Sequence, residues 1–293
     1  MPRGLDWKHD GVAWPNRESS RFVDAGGLRW HVQTAGQGPV VLMLHGTGAS
    51  THSWRDLLPL LAERFTVIAP DLPGHGFTPK PRGDGMSLPG MSRLVAELLG
   101  VLGVEPAHVV GHSAGAAIAA RMYLDGRLAP SSLASLNGAF LPFAGLLRMF
   151  SPAAKFLAST SLAARLAAVR ARDPRAVGSL LASTGSSLDS RGTALYTQLV
   201  QNAGHVAGAL AMMASWDLDG LPLELHRIDA PFLLLVGDND LTVSPKQASR
   251  VAALLPHAKV EHLSGLGHLA HEERPQCVAE RIVAFLSGNS ACA

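Results

Sequence analysis

Five consecutive aliphatic positions, Val40–Leu44, run straight into His45-Gly46-Thr47-Gly48, and this figure of apolar run followed by glycine-rich loop recurs along the chain. A run without polar alternation predicts a central strand covered on both faces. Thr66–Pro70, Ala107–Gly111, Phe232–Val236 and Lys259–Leu263 predict further strands. Helices are expected over Ala114–Asp125 and, with amphipathic spacing, over Pro275–Leu286. Ahead of them, after an irregular arm, Ser20–Asp24 and Leu28–Thr34 flank Gly26-Gly27, a hairpin signal. Alternating strands and helices define an α/β class with a mostly parallel central sheet and helices on both faces.

The rhythm breaks between Ala139 and Arg227. Leu146, Leu147, Phe150, Leu157, Leu162, Leu166 and Val169 fall at helical spacing, prolines punctuate the stretch, and no strand pattern occurs. The expected organisation is a core of residues 1–138 and 228–293 with a helical cap, 139–227, inserted between two strands.

Composition narrows the function classes. The 293 residues are 47% hydrophobic and 16% charged with a net charge of +2, values of a globular chain and not of a nucleic-acid binder. There is no phosphate-loop motif, no apolar stretch of transmembrane length and no secretory pattern at the N-terminus. Two cysteines, Cys277 and Cys292, make no disulfide framework, so a cytoplasmic location is expected.

The chemistry concentrates in four loops. Gly111-His112-Ser113-Ala114-Gly115 joins a predicted strand to a predicted helix, the setting of a nucleophile elbow. Small flanking residues let the backbone turn sharply, and the helix N-terminus directs partial positive charge at a developing oxyanion. The oxyanion hole is assigned to the backbone N–H groups of Ala114 and of Thr47 in the earlier loop, with His45 bracing that loop. Strand Phe232–Val236 ends in Gly237-Asp238-Asn239-Asp240; Asp240 is chosen as the acid, with Asp238 as the alternative. Among thirteen histidines, His268 in Ser264-Gly265-Leu266-Gly267-His268 follows the last strand and completes the order Ser113, Asp240, His268. His271 nearby has no third ligand at metal spacing, so neither metal nor cofactor is expected.

Together with Asp71-Leu72-Pro73-Gly74-His75-Gly76, these loops resemble the α/β-hydrolase superfamily over nearly the whole chain, in its cofactor-free esterase-like branch. A serine at the elbow separates the chain from the superfamily's dehalogenases and epoxide hydrolases, which place an aspartate there. A narrower resemblance, to the magnesium-chelatase accessory proteins of bacteriochlorophyll biosynthesis, rests on three segments. They are Asp6-Trp7-Lys8 with Trp14-Pro15-Asn16, Gly27–Gln33, and His45-Gly46-Thr47-Gly48-Ala49-Ser50-Thr51-His52-Ser53-Trp54. That resemblance implies a setting in tetrapyrrole metabolism around magnesium insertion, with a chelatase subunit as a partner.

Three readings follow. One is a serine hydrolase of an ester or related acyl bond acting in pigment synthesis. Another is a general carboxylesterase or a sibling chemistry, such as carbon–carbon bond hydrolysis. The third is a non-catalytic porphyrin-binding accessory protein. The substrate-lining residues are expected to be Phe140, Phe143, Met213 and Trp216, apolar groups suited to a hydrophobic ester or tetrapyrrole. Arg165, Arg170 and Arg172 are candidates to meet carboxylates of a porphyrin or anionic lipid, and a peripheral membrane contact through Gly138–Leu147 is a further expectation.

Overall fold

The computed structural model describes residues 4–142 and 161–288. Eight strands form one sheet in the order β1-β2-β4-β3-β5-β6-β7-β8: β1 (Ser20–Ala25), β2 (Leu28–Ala35), β3 (Val40–Leu44), β4 (Thr66–Pro70), β5 (His108–His112), β6 (Ser132–Leu136), β7 (Phe232–Gly237) and β8 (Ala258–Leu263). β1 and β2 are an antiparallel hairpin whose turn holds Gly26 and Gly27 at φ 57° and 71°, the double left-handed turn that glycine adopts without strain. β2 pairs antiparallel with β4, and every pairing from β4 to β8 is parallel.

Strand alternation divides the apolar runs between two cores. Leu42, Leu44, Val109, Leu133, Phe232 and Leu234 face one side, under the helices Leu88–Leu102 and Ala114–Leu124. Val41, Met43, Val110, Ala134, Leu233 and Leu235 face the other, under Leu57–Ala62 and Pro275–Leu286. Both faces being covered, the strands need no polar alternation.

β6, Ser-Leu-Ala-Ser-Leu, is a strand the sequence pattern does not announce: two serines and an alanine in five residues carry little strand propensity. Burial forms it. All five residues are inaccessible, and Ser132 Oγ is satisfied by the His108 ring at 2.9 Å.

Between β6 and β7 lie the helices Ser161–Arg170, Pro174–Ala182, Ser190–Val200, Ala203–Ser215 and Leu221–Glu224. Asp173, Asp189 and Asn202 cap the second, third and fourth through their side-chain oxygens. The helix Ala203–Ser215 meets the core where two glycines face each other. A Cβ on Gly208 would lie 1.8 Å from the Gly74 carbonyl oxygen. The N-terminal arm is anchored by Trp14, which donates to Thr51 Oγ1 at 3.1 Å and packs edge-on to Phe77 with ring centroids 4.8 Å apart.

Candidate active site at the strand ends

The elbow is a strained turn. Ser113 has φ 51° and ψ −117°, outside the regions open to ordinary residues, and such a conformation costs about 1–3 kcal/mol. Neighbouring chain holds it there: Ser113 N–H donates to Leu136 O at 3.0 Å, and Ala139 N–H donates to Ser113 O at 3.1 Å. The flanking glycines are required by space. A Cβ on Gly111 would lie 2.5 Å from the Ala116 backbone, and one on Gly115 would lie 2.0 Å from Leu44 O. Ala114 starts the helix behind the serine and is buried.

The loop after β3 runs against this turn, since a Cβ on Gly46 would approach Ser113 Cβ to 3.0 Å. His45 is inside the protein, donating from Nδ1 to Gly46 O at 2.8 Å and accepting Leu72 N–H on Nε2 at 2.8 Å. With both nitrogens engaged it braces the loop and stays neutral; burial lowers its pKa to about 3. Thr47 Oγ1 reaches Met212 Sδ at 3.4 Å, so an inserted helix touches the loop directly. Asp71 ties the surroundings together by accepting His31 Nδ1–H, Thr51 N–H and Phe77 N–H at 2.7–2.9 Å.

Asp240 and His268 are brought together: His268 Nδ1 lies 2.7 Å from Asp240 Oδ2, with both residues buried. The other carboxylate oxygen accepts Thr242 N–H and Val243 N–H at 2.7 and 2.8 Å. Asp238 stands apart, pairing with His262 at 2.8 Å on the surface. The histidine loop is held to the elbow by His112, the residue before the serine, whose Nε2–H donates to His268 O at 2.9 Å.

Asn137 was not singled out by the sequence. It follows β6 with φ 49°, and its Nδ2 donates to Asp240 Oδ2 at 2.7 Å, the same oxygen that His268 uses. A lone asparagine after a strand that its own residues do not announce carries no signal in the sequence; its positive φ, which Asn tolerates, is visible only in the structure.

The expected lining residues scatter. Phe140 is 2% exposed and packs edge-on to Phe232 in the core, ring centroids 5.7 Å apart. Trp216 packs half-buried against that same core, Met213 is half-exposed, and its neighbour Met212 is the one that meets Thr47. Phe143 lies outside the described residues. Arg165 and Arg170, on the helix Ser161–Arg170, and Arg172, in the turn after it, are exposed.

Behind the loops lies a polar cluster. Tyr196 and Ser53 both donate to Glu272 Oε1, at 2.8 and 2.6 Å, and His271 Nε2–H donates to Ser53 Oγ at 2.8 Å. Burial raises the Glu272 carboxyl to about 7. Because this folded pKa lies above the ordinary value of 4.5, the unfolded chain releases the proton first, and stability falls as pH rises from about 4.5 to 7. Glu272→Gln keeps an acceptor for Tyr196 and Ser53 without that cost. It is expected to exceed the wild type by about 2–3 kcal/mol in urea unfolding at mildly alkaline pH, and to lose the advantage near pH 4.5. A difference that does not change with pH would contradict this.

With this geometry in view, the fold and site define the class: the chain belongs to the α/β-hydrolase family, whose model, described as alpha/beta hydrolase fold, matches residues 39–275. Within it, the chain is 37% identical over 278 residues to the magnesium-chelatase 30 kDa subunit of Rhodobacter capsulatus, spanning 94% of this chain and 97% of that protein. Among solved structures, the ligand-free epoxide hydrolase CorEH superposes with a TM-score of 0.76 at 24% identity, covering 92% of this chain and 98% of its own. The esterase RhEst1 from Rhodococcus sp. ECU1013 gives 0.71 at 22% identity, covering 93% and 100%. At these identities the two structures speak to the fold alone.

Proposed function

We propose that the protein is a serine hydrolase that cleaves an ester or related acyl bond through an acyl-enzyme on Ser113. The observation that carries the reading is the buried 2.7 Å contact between His268 Nδ1 and Asp240 Oδ2, on a loop tied to a strained serine elbow. With Nδ1 engaged, His268 Nε2 takes the Ser113 proton as Oγ attacks the acyl carbon, then returns it to the leaving alcohol. Water, deprotonated by the same histidine, frees the acid and restores the serine. The Thr47 and Ala114 N–H groups are assigned to the oxyanion. Asp240 fixes the imidazole tautomer and stabilises the imidazolium.

The segment 139–227 is assigned as the cap, and a hydrophobic ester or tetrapyrrole as the substrate class. The likeness to a magnesium-chelatase subunit favours tetrapyrrole biosynthesis, in a cytoplasmic setting and beside a chelatase subunit, over a general carboxylesterase. Among the described residues no helix is long and apolar enough to cross a membrane.

The test is turnover of a panel of p-nitrophenyl esters by wild type and Ser113→Ala, with protoporphyrin quenching of tryptophan fluorescence recorded on the same samples. Ester cleavage that drops by at least about a thousandfold in the variant is expected. No cleavage of any ester, with equal porphyrin quenching in both proteins, would replace the reading with a porphyrin-binding accessory role.

A further inference from the structure

The helix Ser161–Arg170 is packed inside out. Ala164 and Ala168, with Ala171 just beyond its end, are buried, whereas Leu162, Leu166 and Val169 are 65%, 62% and 55% exposed. The buried alanines give the close face on which this helix packs against Ala203–Ser215. Leu162, Leu166 and Val169 follow the i, i+4, i+7 spacing that puts them along one side of a helix. At 100° per residue, Arg165 and Arg170 fall about 60° and 80° to either side of Leu162, so cations border the apolar stripe on both flanks. Leu180, Arg172 and Arg175 are exposed on the adjoining turn and helix.

Charge is concentrated here too. Residues 161–180 hold four arginines against Asp173 alone, a net +3 in a chain whose total is +2. Asp173 pairs with Arg170 at 3.0 Å, leaving this surface strongly cationic.

We propose that this face docks the protein peripherally on an anionic lipid bilayer. Aliphatic side chains between arginines match a bilayer's boundary: the leucines enter the acyl region while the guanidinium groups snorkel to the phosphates. A second copy of the chain fits poorly, because a twofold contact would set the same arginines against each other. Nor does the stripe hold the tyrosines and tryptophans that anchor protein interfaces. The docked helix lies against Ala203–Ser215, whose Met212 contacts Thr47, so the bilayer would sit one helix away from the loop assigned to the oxyanion. A hydrophobic substrate dissolved in lipid would then have a short path to the site. The docking itself stands whether or not the hydrolase reading does.

Co-sedimentation of the full chain with vesicles tests this, using phosphatidylcholine alone and phosphatidylcholine mixed with phosphatidylglycerol. The wild type is expected to pellet with the anionic vesicles only, and less as salt is raised. The variant Arg165→Gln/Arg172→Gln/Arg175→Gln is expected to bind about a hundredfold more weakly, each arginine near an anionic surface being worth about fivefold. Leu162→Gln/Leu166→Gln/Val169→Gln is expected to bind at least about tenfold more weakly. Because every substituted side chain is exposed, melting temperatures should match the wild type; if the leucine variant misfolds, the arginine variant still decides the matter. Absence of wild-type binding to anionic vesicles would overturn the proposal, as would binding unchanged in both variants. So would a wild-type dimer that the leucine variant dissolves while neither protein pellets with vesicles.

Discussion

Exchanging Asp240 for asparagine is expected to lower kcat for ester hydrolysis by about four orders of magnitude with little change in KM or melting temperature. All four groups facing this carboxylate are donors: Thr242 N–H and Val243 N–H on one oxygen, His268 Nδ1 and Asn137 Nδ2 on the other. The two backbone donors cannot turn, so the carboxamide must offer them its oxygen and point its NH2 at Asn137 and His268. Asn137 can answer by flipping, because its Oδ1 is buried without a partner and would then accept. His268 can answer only by accepting on Nδ1, which moves its proton to Nε2, the nitrogen needed as base. The variant therefore folds with every bond replaced but holds the wrong tautomer. Steady-state kinetics of the folded variant check this. A loss below about tenfold would remove Asp240 from the orienting role.

Acidification from pH 7 to about 5 is expected to unfold the protein cooperatively. His45, His52, His205 and His271 have pKa values lowered to about 3 and His75 to about 4, first of all by burial. All five are buried, and their rings form part of the frame around the site: His45 lies 5.4 Å from His75, which lies 5.4 Å from His205. Below their ordinary value of 6.5 the unfolded chain takes up protons that the native state refuses, so stability falls with falling pH. At pH 5 each histidine forfeits about 2 kcal/mol, and the five together up to roughly 10 kcal/mol, comparable with the whole stability of a typical domain. Glu272, whose shift has the opposite sign, returns about 2 kcal/mol over that range. Circular dichroism against pH, with urea midpoints at each step, measures the effect. A protein still folded at pH 4.5 with an unshifted midpoint would mean that these histidines take up protons in the native state.

What the sequence made legible is what local chemistry encodes. β3, β4 and the helix Pro275–Leu286 begin and end where their hydrophobic patterns predict. The glycines at 111 and 115, either side of the turn, are legible because steric demand leaves no other residue type. β6 was illegible because its burial is imposed by β5 and β7 on either side, not by its own serines and alanine. Asn137 inherited that blindness, since its importance comes from a partner 103 positions away. Phe140 illustrates a different limit. An apolar side chain reads the same whether it lines a pocket or fills a core, and Phe140 does both, packing edge-on to Phe232 while bordering a small cavity beside Asn137 and Val236.

The facing glycines at 74 and 208 have a consequence for building chimaeras. With backbone against backbone there, even one methyl group on Gly208 would drive the helix Ala203–Ser215 away from the Asp71–Gly76 loop, carrying Met212 off Thr47. Surface helices such as Ser161–Arg170 have no such seam with the sheet, so they can be exchanged between relatives with far fewer constraints. A donor insertion grafted onto this core would have to bring its own glycine at that point of contact, whatever else it changed. The recombination boundary that preserves the molecule therefore lies within the insertion, ahead of Ala203, and not at its ends.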